Sequence, residues 1–243
     1  MSRRPKDYAR PDRHTRAAKA AGYPARSVFK LEEIQQRYRL FKPGQRVLDL
    51  GAAPGSWSLY ASKLVGPAGK VMAVDLSEIT EALPPNVSAR QLDVFSAERS
   101  VLAEHGPYDV VLSDMAPRTS GNKSRDQALS YELCVRALAV ADELGGPHSC
   151  FVAKLFMSAE FGELKRAITA RYTECRVVRP EATRSQSSEV FLVGLKRKIA
   201  QQAAAPNAGA PAPSEAVAPS EPALAPEPTG ASDAESGNDG TRQ

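Results

Sequence analysis

Arg46-Val47-Leu48-Asp49-Leu50-Gly51-Ala52-Ala53-Pro54-Gly55-Ser56-Trp57 is the stretch that decides the fold. Residues 46–50 form a short apolar run suited to a buried strand, and Gly51 directly after it permits a tight turn and close backbone approach to a ligand. Residues 57–65 then read as a helix. The rhythm repeats outward: strands at 70–74, 88–92, 108–112 and 149–153 alternate with helices at 97–104, 127–144 and 159–171. Two late strands, 174–178 and 189–195, have no helix between them. Alternating strands and helices predict an α/β fold, a mostly parallel seven-stranded sheet with helices on both faces. The helix-less final pair predicts an antiparallel strand at the edge. Ahead of the sheet, Val28, Leu31, Ile34, Tyr38 and Phe41 recur at helical spacing, so residues 26–41 read as a helix that Ser27 can cap. Lys30 lies off that apolar stripe.

The charge is unevenly spread. The net +4 divides into −5 on residues 199–243 and +9 on residues 1–198, with a local +7 in the first thirty residues. The chain therefore reads as a basic flexible arm (1–22), one catalytic-sized domain (23–198) and a disordered Ala/Pro/Glu-rich acidic tail (199–243) whose composition cannot offset its ordering entropy. A basic body with a basic arm implies an anionic partner, nucleic acid first. No apolar run is long enough for a membrane span, and no apolar stretch follows the N-terminal Met-Ser-Arg-Arg as a secretory signal would require. Asp7, Asp12, Pro5 and Pro11 interrupt any transit-peptide pattern. Cys134, Cys150 and Cys175 are far apart and His14, His105 and His148 lack ligand spacing, so neither a disulfide framework nor a metal site is expected. A cytoplasmic monomer is the expectation.

The loop after the first strand narrows the cofactor. A dinucleotide fingerprint needs glycine at 53 and 56, where the chain has Ala53 and Ser56, and no phosphate-binding G-x-x-x-x-G-K-[ST] occurs. Pro54 removes a backbone donor that a phosphate cradle would use. A ligand with a ribose and a base but no phosphate remains. Asp75 ends the second strand, where an acid accepts from ribose hydroxyls; Asp93 ends the third, where it can accept from an adenine amino group. S-adenosylmethionine fits that set, with Gly51 and Gly55 admitting its amino-acid end and ribose and Trp57 packing beside it or serving as a core aromatic.

Three charged residues fall where such a sheet builds its active site: Asp114 follows the run 110–112, Lys154 follows 150–153 and Glu189 precedes 190–193. Lys30, off the apolar stripe of the preceding helix, is free to reach a ligand, although the helix alone reads it as a surface lysine. The ligand crevice of a doubly wound sheet lies outside its strand ends. Two lysines and two carboxylates converging there are costly to bury unless paired.

Five segments carry a resemblance: Ser27-Val-Phe-Lys-Leu, Asp49-Leu-Gly-Ala-Ala-Pro-Gly-Ser-Trp-Ser, Ser113-Asp-Met-Ala-Pro, Val152-Ala-Lys-Leu-Phe and Thr183-Arg-Ser-Gln-Ser-Ser-Glu. Over residues 22–197 the chain resembles the FtsJ (RrmJ-type) ribosomal RNA 2′-O-ribose methyltransferases. The resemblance implies the class I S-adenosylmethionine-dependent methyltransferase fold, a catalytic tetrad at Lys30, Asp114, Lys154 and Glu189, and cofactor contacts at Gly55, Trp57, Asp75, Asp93 and Asp114. Ser56 departs from the family, which usually has a second glycine there, and a positive φ at this serine would be strained. Lys154 is the expected general base for a ribose hydroxyl. Burial and the Lys30 cation would lower its pKa from about 10.4, while the Asp114 charge opposes that shift. Asp114 would orient Lys154; Lys30 and Glu189 would position the ribose.

Arg26, Arg118, Lys123, Arg125 and Arg184 around the site mouth are expected to neutralise RNA phosphates. A 2′-hydroxyl acceptor specifies RNA over DNA. The resemblance implies the A-loop uridine of 23S ribosomal RNA in the large ribosomal subunit. A tRNA methyltransferase, a non-catalytic RNA-binding assembly factor and a small-molecule O-methyltransferase are the alternatives. The intact tetrad argues against the second of these and the +7 arm against the third. The chain lacks an Asp/Asn-Pro-Pro-aromatic run, a Pro-Cys at the fourth strand and a G-x-S-x-G, which argues against amino-group methylation, cytosine C5 methylation and serine hydrolysis.

Overall fold

The computed structural model describes residues 13–184 and 186–199. The disordered tail expected from residue 199 onward thus lies outside the described residues except for Ile199, as do residues 1–12 of the expected arm. The elements run α1 (Arg13–Ala20), α2 (Val28–Tyr38), β1 (Arg46–Leu50), α3 (Ser56–Val65), β2 (Lys70–Asp75), β3 (Val87–Gln91), α4 (Arg99–Leu102), β4 (Tyr108–Ser113), α5 (Lys123–Leu144), β5 (Gly145–Phe156), α6 (Phe161–Arg171), β6 (Tyr172–Val178) and β7 (Glu189–Arg197). One sheet has the order β3-β2-β1-β4-β5-β7-β6. β1 to β5 pair in parallel, and β7 runs antiparallel to both β5 and β6. The one antiparallel strand therefore lies at the β6/β7 edge, one position in from the rim. The chain crosses over through α6 to β6 and returns as β7 into the slot beside β5.

Two apolar layers sandwich the sheet. Leu48, Leu50, Met72, Val111, Phe151 and Leu192 pack with Ala137, Val140 and Leu144 of α5 and with Ile168 of α6. On the other face, Val47, Val71, Val110, Val152 and Phe191 pack with Leu31 and Ile34 of α2 and Trp57 and Ala61 of α3. Alternate residues of each central strand thus point to opposite layers, as the two-residue pleat requires. None of the described helices is long and apolar enough to cross a membrane.

The arm expected to be flexible contains order. Residues 13–20 form α1, which buries Ala18 and sets the His14 ring 5.9 Å from that of Phe29. Ala18 is its one buried residue, so it carries no apolar stripe that a search for helical periodicity can detect. The helix read at 26–41 is shorter, Val28–Tyr38, and ends where Arg39 turns left-handed. Ser27 does not cap it through its side chain; instead its carbonyl accepts from Trp57 Nε1 at 2.9 Å.

Candidate active site

The tetrad is assembled by strand register. β4 and β5 pair Ser113 with Ala153, so the next residues, Asp114 and Lys154, emerge side by side. Lys154 Nζ donates to the Asp114 carbonyl at 2.5 Å and to Asp114 Oδ1 at 2.9 Å. β5 and β7 pair Lys154 with Phe191, and Glu189 lies two residues from Phe191 on the same face. Lys30 reaches in from α2, pairs with Glu189 and stands 5.8 Å from the Phe191 ring centroid. Trp57 also packs on Phe191, with ring centroids 5.6 Å apart. Lys30, Lys154 and Glu189 are all buried. The cluster is thus two linked ion pairs, Lys30–Glu189 and Asp114–Lys154, and each buried ammonium has its own carboxylate. That meets the condition for burying charge.

Burial alone would raise the Glu189 carboxyl, but the paired Lys30 ammonium, the charge of Lys154 and a 3.2 Å hydrogen bond from Thr183 Oγ1 outweigh it and hold the group below its ordinary value. A carboxyl depressed by folding contributes stability that is complete above its unfolded pKa and is lost as pH falls through the folded value. Glu189→Gln leaves Lys30 charged and buried without its partner, so we expect it to lower unfolding free energy by about 3 kcal/mol at neutral pH. The difference should shrink as pH drops below the carboxylate range. Chemical denaturation at pH 7 and pH 3 measures both, and equal losses at the two pH values would refute the linkage.

A separate cleft of 390 Å³ lies at the C-terminal ends of β1, β2 and β4, lined by Gly51, Ala53, Asp75, Leu76, Asp93, Phe95, Asp114 and Met115 among others. Gly51 has φ +77, and a Cβ there would meet Met115 backbone at 2.7 Å, so this close approach needs glycine. Asp75 accepts from the Ala53 amide at 3.0 Å and the Ser77 amide at 2.7 Å, which fixes the carboxylate across the loop. Asp93 accepts from Phe95 N at 2.9 Å. Gly51, Asp75, Asp93 and Asp114 are therefore brought together. Trp57 and Gly55 are not among the cleft's lining residues. Trp57 is a core residue that ties α3 to the residue before α2 through its indole N–H on the Ser27 carbonyl and to β7 through its ring contact with Phe191. Gly55, with φ 106, forms the turn into α3 and faces Ile79 and Leu83.

The expected strain at Ser56 does not arise, because the positive φ falls on Gly55 and Ser56 is the first helical residue. Its hydroxyl accepts from the Ala25 amide at 2.8 Å and donates to the Ala25 carbonyl at 3.2 Å, which pins the segment before α2 to the start of α3. Sequence reasoning passed over three further residues. Leu76 and Phe95 flank the cleft with 68 % and 53 % of their surface exposed; each is an apolar residue closely following a strand-end acid, a signal available in the sequence. Thr183, which holds Glu189, opens the Thr183-to-Glu189 segment but has no local pattern of its own.

The basic residues divide into two groups. Arg26 and Arg184 line a second cleft of 480 Å³ together with Ser27, Lys30, Ser187 and Glu189. Arg118, Lys123 and Arg125 lie exposed on the segment after β4 and the first turn of α5. Asn122 caps α5 by accepting from Arg125 N at 3.1 Å.

A mostly parallel seven-stranded sheet in the order β3-β2-β1-β4-β5-β7-β6, with β7 antiparallel and helices on both faces, is the fold of a Rossmann-like methyltransferase. The model of FtsJ-like methyltransferases matches residues 23–197, and the chain belongs to that family. It is 59 % identical over 201 residues to the ribosomal RNA large subunit methyltransferase E of Sorangium cellulosum, covering 82 % of this chain and 95 % of that one. The protein of the same name from Bdellovibrio bacteriovorus is 48 % identical over 191 residues, covering 77 % and 97 %. A solved structure from Plasmodium falciparum, described as a ribosomal RNA methyltransferase, shares the fold with TM-score 0.62 at 22 % identity, over 72 % of this chain and 98 % of that one.

Proposed function

We propose that this methyltransferase acts in the cytoplasm as a monomer. It transfers a methyl group from S-adenosylmethionine to a ribose 2′-hydroxyl of RNA, the A-loop uridine of 23S ribosomal RNA in the large subunit. The observation that carries the reading is the position of Lys154. It is held on Asp114, which lines the carboxylate cleft, and its charge acts on Glu189, which lines the basic cleft. A proton acceptor between a donor pocket and an acceptor pocket is what transfer to a hydroxyl needs.

The carboxylate cleft fits the cofactor by its chemistry. Gly51 admits the amino-acid end, Asp75 accepts from the ribose hydroxyls, Asp93 from the adenine amino group, and Leu76 and Phe95 offer apolar surface to the base. S-adenosylmethionine, when bound, supplies an electrophilic methyl group on a positively charged sulfur, which favours the company of Asp114 and Asp75. Lys154 in its unprotonated form takes the 2′-hydroxyl proton while Asp114 fixes its amine. Lys30 and Glu189 hold the ribose, and Arg26 and Arg184 take the flanking phosphates, supported by Arg118, Lys123 and Arg125. Removing a charged hydrogen-bond acceptor from a cofactor costs about 1.5–3 kcal/mol. Asp75→Ala is thus expected to weaken cofactor affinity roughly ten- to a hundredfold in calorimetry; an unchanged dissociation constant would remove it from the site.

The test is tritiated methyl transfer to unmethylated large subunits, naked ribosomal RNA and tRNA, with nuclease mapping of the label. Label on a large-subunit ribose is the expected result. Label on tRNA alone would replace the substrate, and no label despite cofactor binding would point to another RNA or a binding role.

A further inference from the structure

The described residues hold three non-glycine residues with left-handed backbones: Arg39 (φ 50), His148 (φ 60) and Lys196 (φ 56). All three line one cleft of 590 Å³, together with Lys42, Tyr38 and Asp109. The cleft sits at the opposite pole of the sheet from the tetrad. Asp109 is the second residue of β4, His148 lies early in β5 and Lys196 lies late in the antiparallel β7. A left-handed backbone is costly for residues with a Cβ and nearly free for glycine. Elsewhere the chain meets that need with glycine, at Gly22, Gly44, Gly51, Gly55, Gly66 and Gly121. In this cleft it keeps basic side chains instead, which is the pattern expected where the side chain has a use.

None of the Arg39, Lys42, His148 and Lys196 side chains has a hydrogen bond or ion pair among the described residues. The carboxylate of Asp109 faces the same space but accepts from the Arg46 amide at 2.8 Å. Three fixed cations against one carboxylate leave the cleft positive. Tyr38 and the neighbouring Leu40, Pro147 and Leu195 give it an aromatic and apolar wall beside that charge. Cations interleaved with an aromatic are the elements of a nucleic-acid contact, the cations for phosphate and the ring for a base.

We propose that this cleft binds the phosphodiester backbone of RNA, a second contact remote from the methyl-transfer site, through Arg39, Lys42 and Lys196 with Tyr38 against an adjacent nucleotide. The proposal rests on the reading of the protein as an RNA enzyme. A substrate held at both poles gains affinity from phosphates that take no part in the chemistry, so this contact governs the Michaelis constant and its salt dependence while the turnover number is set at the other pole.

Two full-length double variants test it, Arg39→Gly/Lys196→Gly and Arg39→Gln/Lys196→Gln. The first relieves the backbone and removes the charges; the second removes only the charges. Affinity for a large-subunit RNA fragment is measured against salt concentration. Both variants should bind more weakly, and the slope of log K against log salt should fall by about 2. The Gly pair should melt no lower than wild type, and both should keep the wild-type turnover number at saturating RNA. Titration with inorganic phosphate separates the sources: heat of binding lost in both variants would mean that the cleft takes free phosphate as well, and its absence alongside a changed salt slope means RNA only. Wild-type affinity and slope in both variants, without phosphate binding, would overturn the proposal, as would loss of RNA affinity only in a Gly pair that also unfolds early. Wild-type protein that binds RNA through this cleft but transfers no methyl to it would instead overturn the enzymatic reading.

Discussion

Lys154→Ala is expected to slow methyl transfer to RNA by a factor of about 10³ in single turnover, within the range general-base removal gives, while cofactor affinity stays nearly unchanged. The two readouts separate because Lys154 touches Asp114 at the rim and is not among the lining residues of the carboxylate cleft. Alanine alone leaves an ambiguity, since it removes a cation and leaves Asp114 unpaired. Lys154→Arg resolves it: the guanidinium keeps the charge but does not give up its proton at any working pH. A base that must be unprotonated predicts that arginine is as inactive as alanine. A cation that merely positions Asp114 predicts substantial rescue. An active arginine variant would reassign proton removal to another group.

Most of this architecture was legible in the sequence because its causes are local. The strand–glycine–helix stretch from Arg46 to Trp57 and the strand-end acids Asp75, Asp93 and Asp114 carry their positions in their spacing. The convergence of Lys30 on Glu189 did not follow from spacing, since it depends on β7 inserting between β5 and β6. Only the resemblance supplied it beforehand. Trp57 was ambiguous because an aromatic beside a ligand and an aromatic opening a helix look alike in one dimension. Its indole partner, the Ser27 carbonyl, is thirty residues away in the chain. α1 was missed because helices of alanine and basic residues dock through small contacts that leave no periodic apolar signal. The left-handed residues of the far cleft were equally hidden: Arg39 follows the end of α2, but His148 and Lys196 lie within β5 and β7, and His148 falls where the β4–β5 register shifts, a pairing detail that one dimension does not carry.

Asp49 carries the other large effect, and it comes from a carboxyl the sequence presents only as part of a motif. The residue is fully buried in β1; Ser58 Oγ donates to its Oδ2 at 2.6 Å, and Oδ1 is buried without a partner. Burial raises its pKa from 3.8 to about 7; Ser58 opposes the shift, while the charges of Asp114 and Asp75 reinforce it. A carboxyl raised by folding binds its proton more tightly in the native state, so stability declines as pH rises from the unfolded value to the folded one and then levels off. Between pKa 3.8 and about 7 that amounts to roughly 4 kcal/mol. Asp49→Asn is neutral at every pH and keeps an acceptor for Ser58. Its amide donor lacks a partner, which costs about 1–3 kcal/mol. The variant should therefore be less stable than wild type near pH 4 and more stable by about 1–3 kcal/mol at pH 8, once that cost is set against the ionisation it avoids. Denaturation midpoints across that range check it, and a pH-independent difference would show that Asp49 titrates normally. The same carboxyl links protons to the cofactor. Asp75 and Asp114, whose charges act on Asp49, line the cleft where a positively charged methyl donor is proposed to sit. A cation beside them favours the ionised form of Asp49, so binding near pH 7 should release a proton from it. Calorimetry in buffers of different ionisation enthalpy should detect that release in the wild-type protein and lose it in Asp49→Asn, whose cofactor affinity should also stop rising with pH.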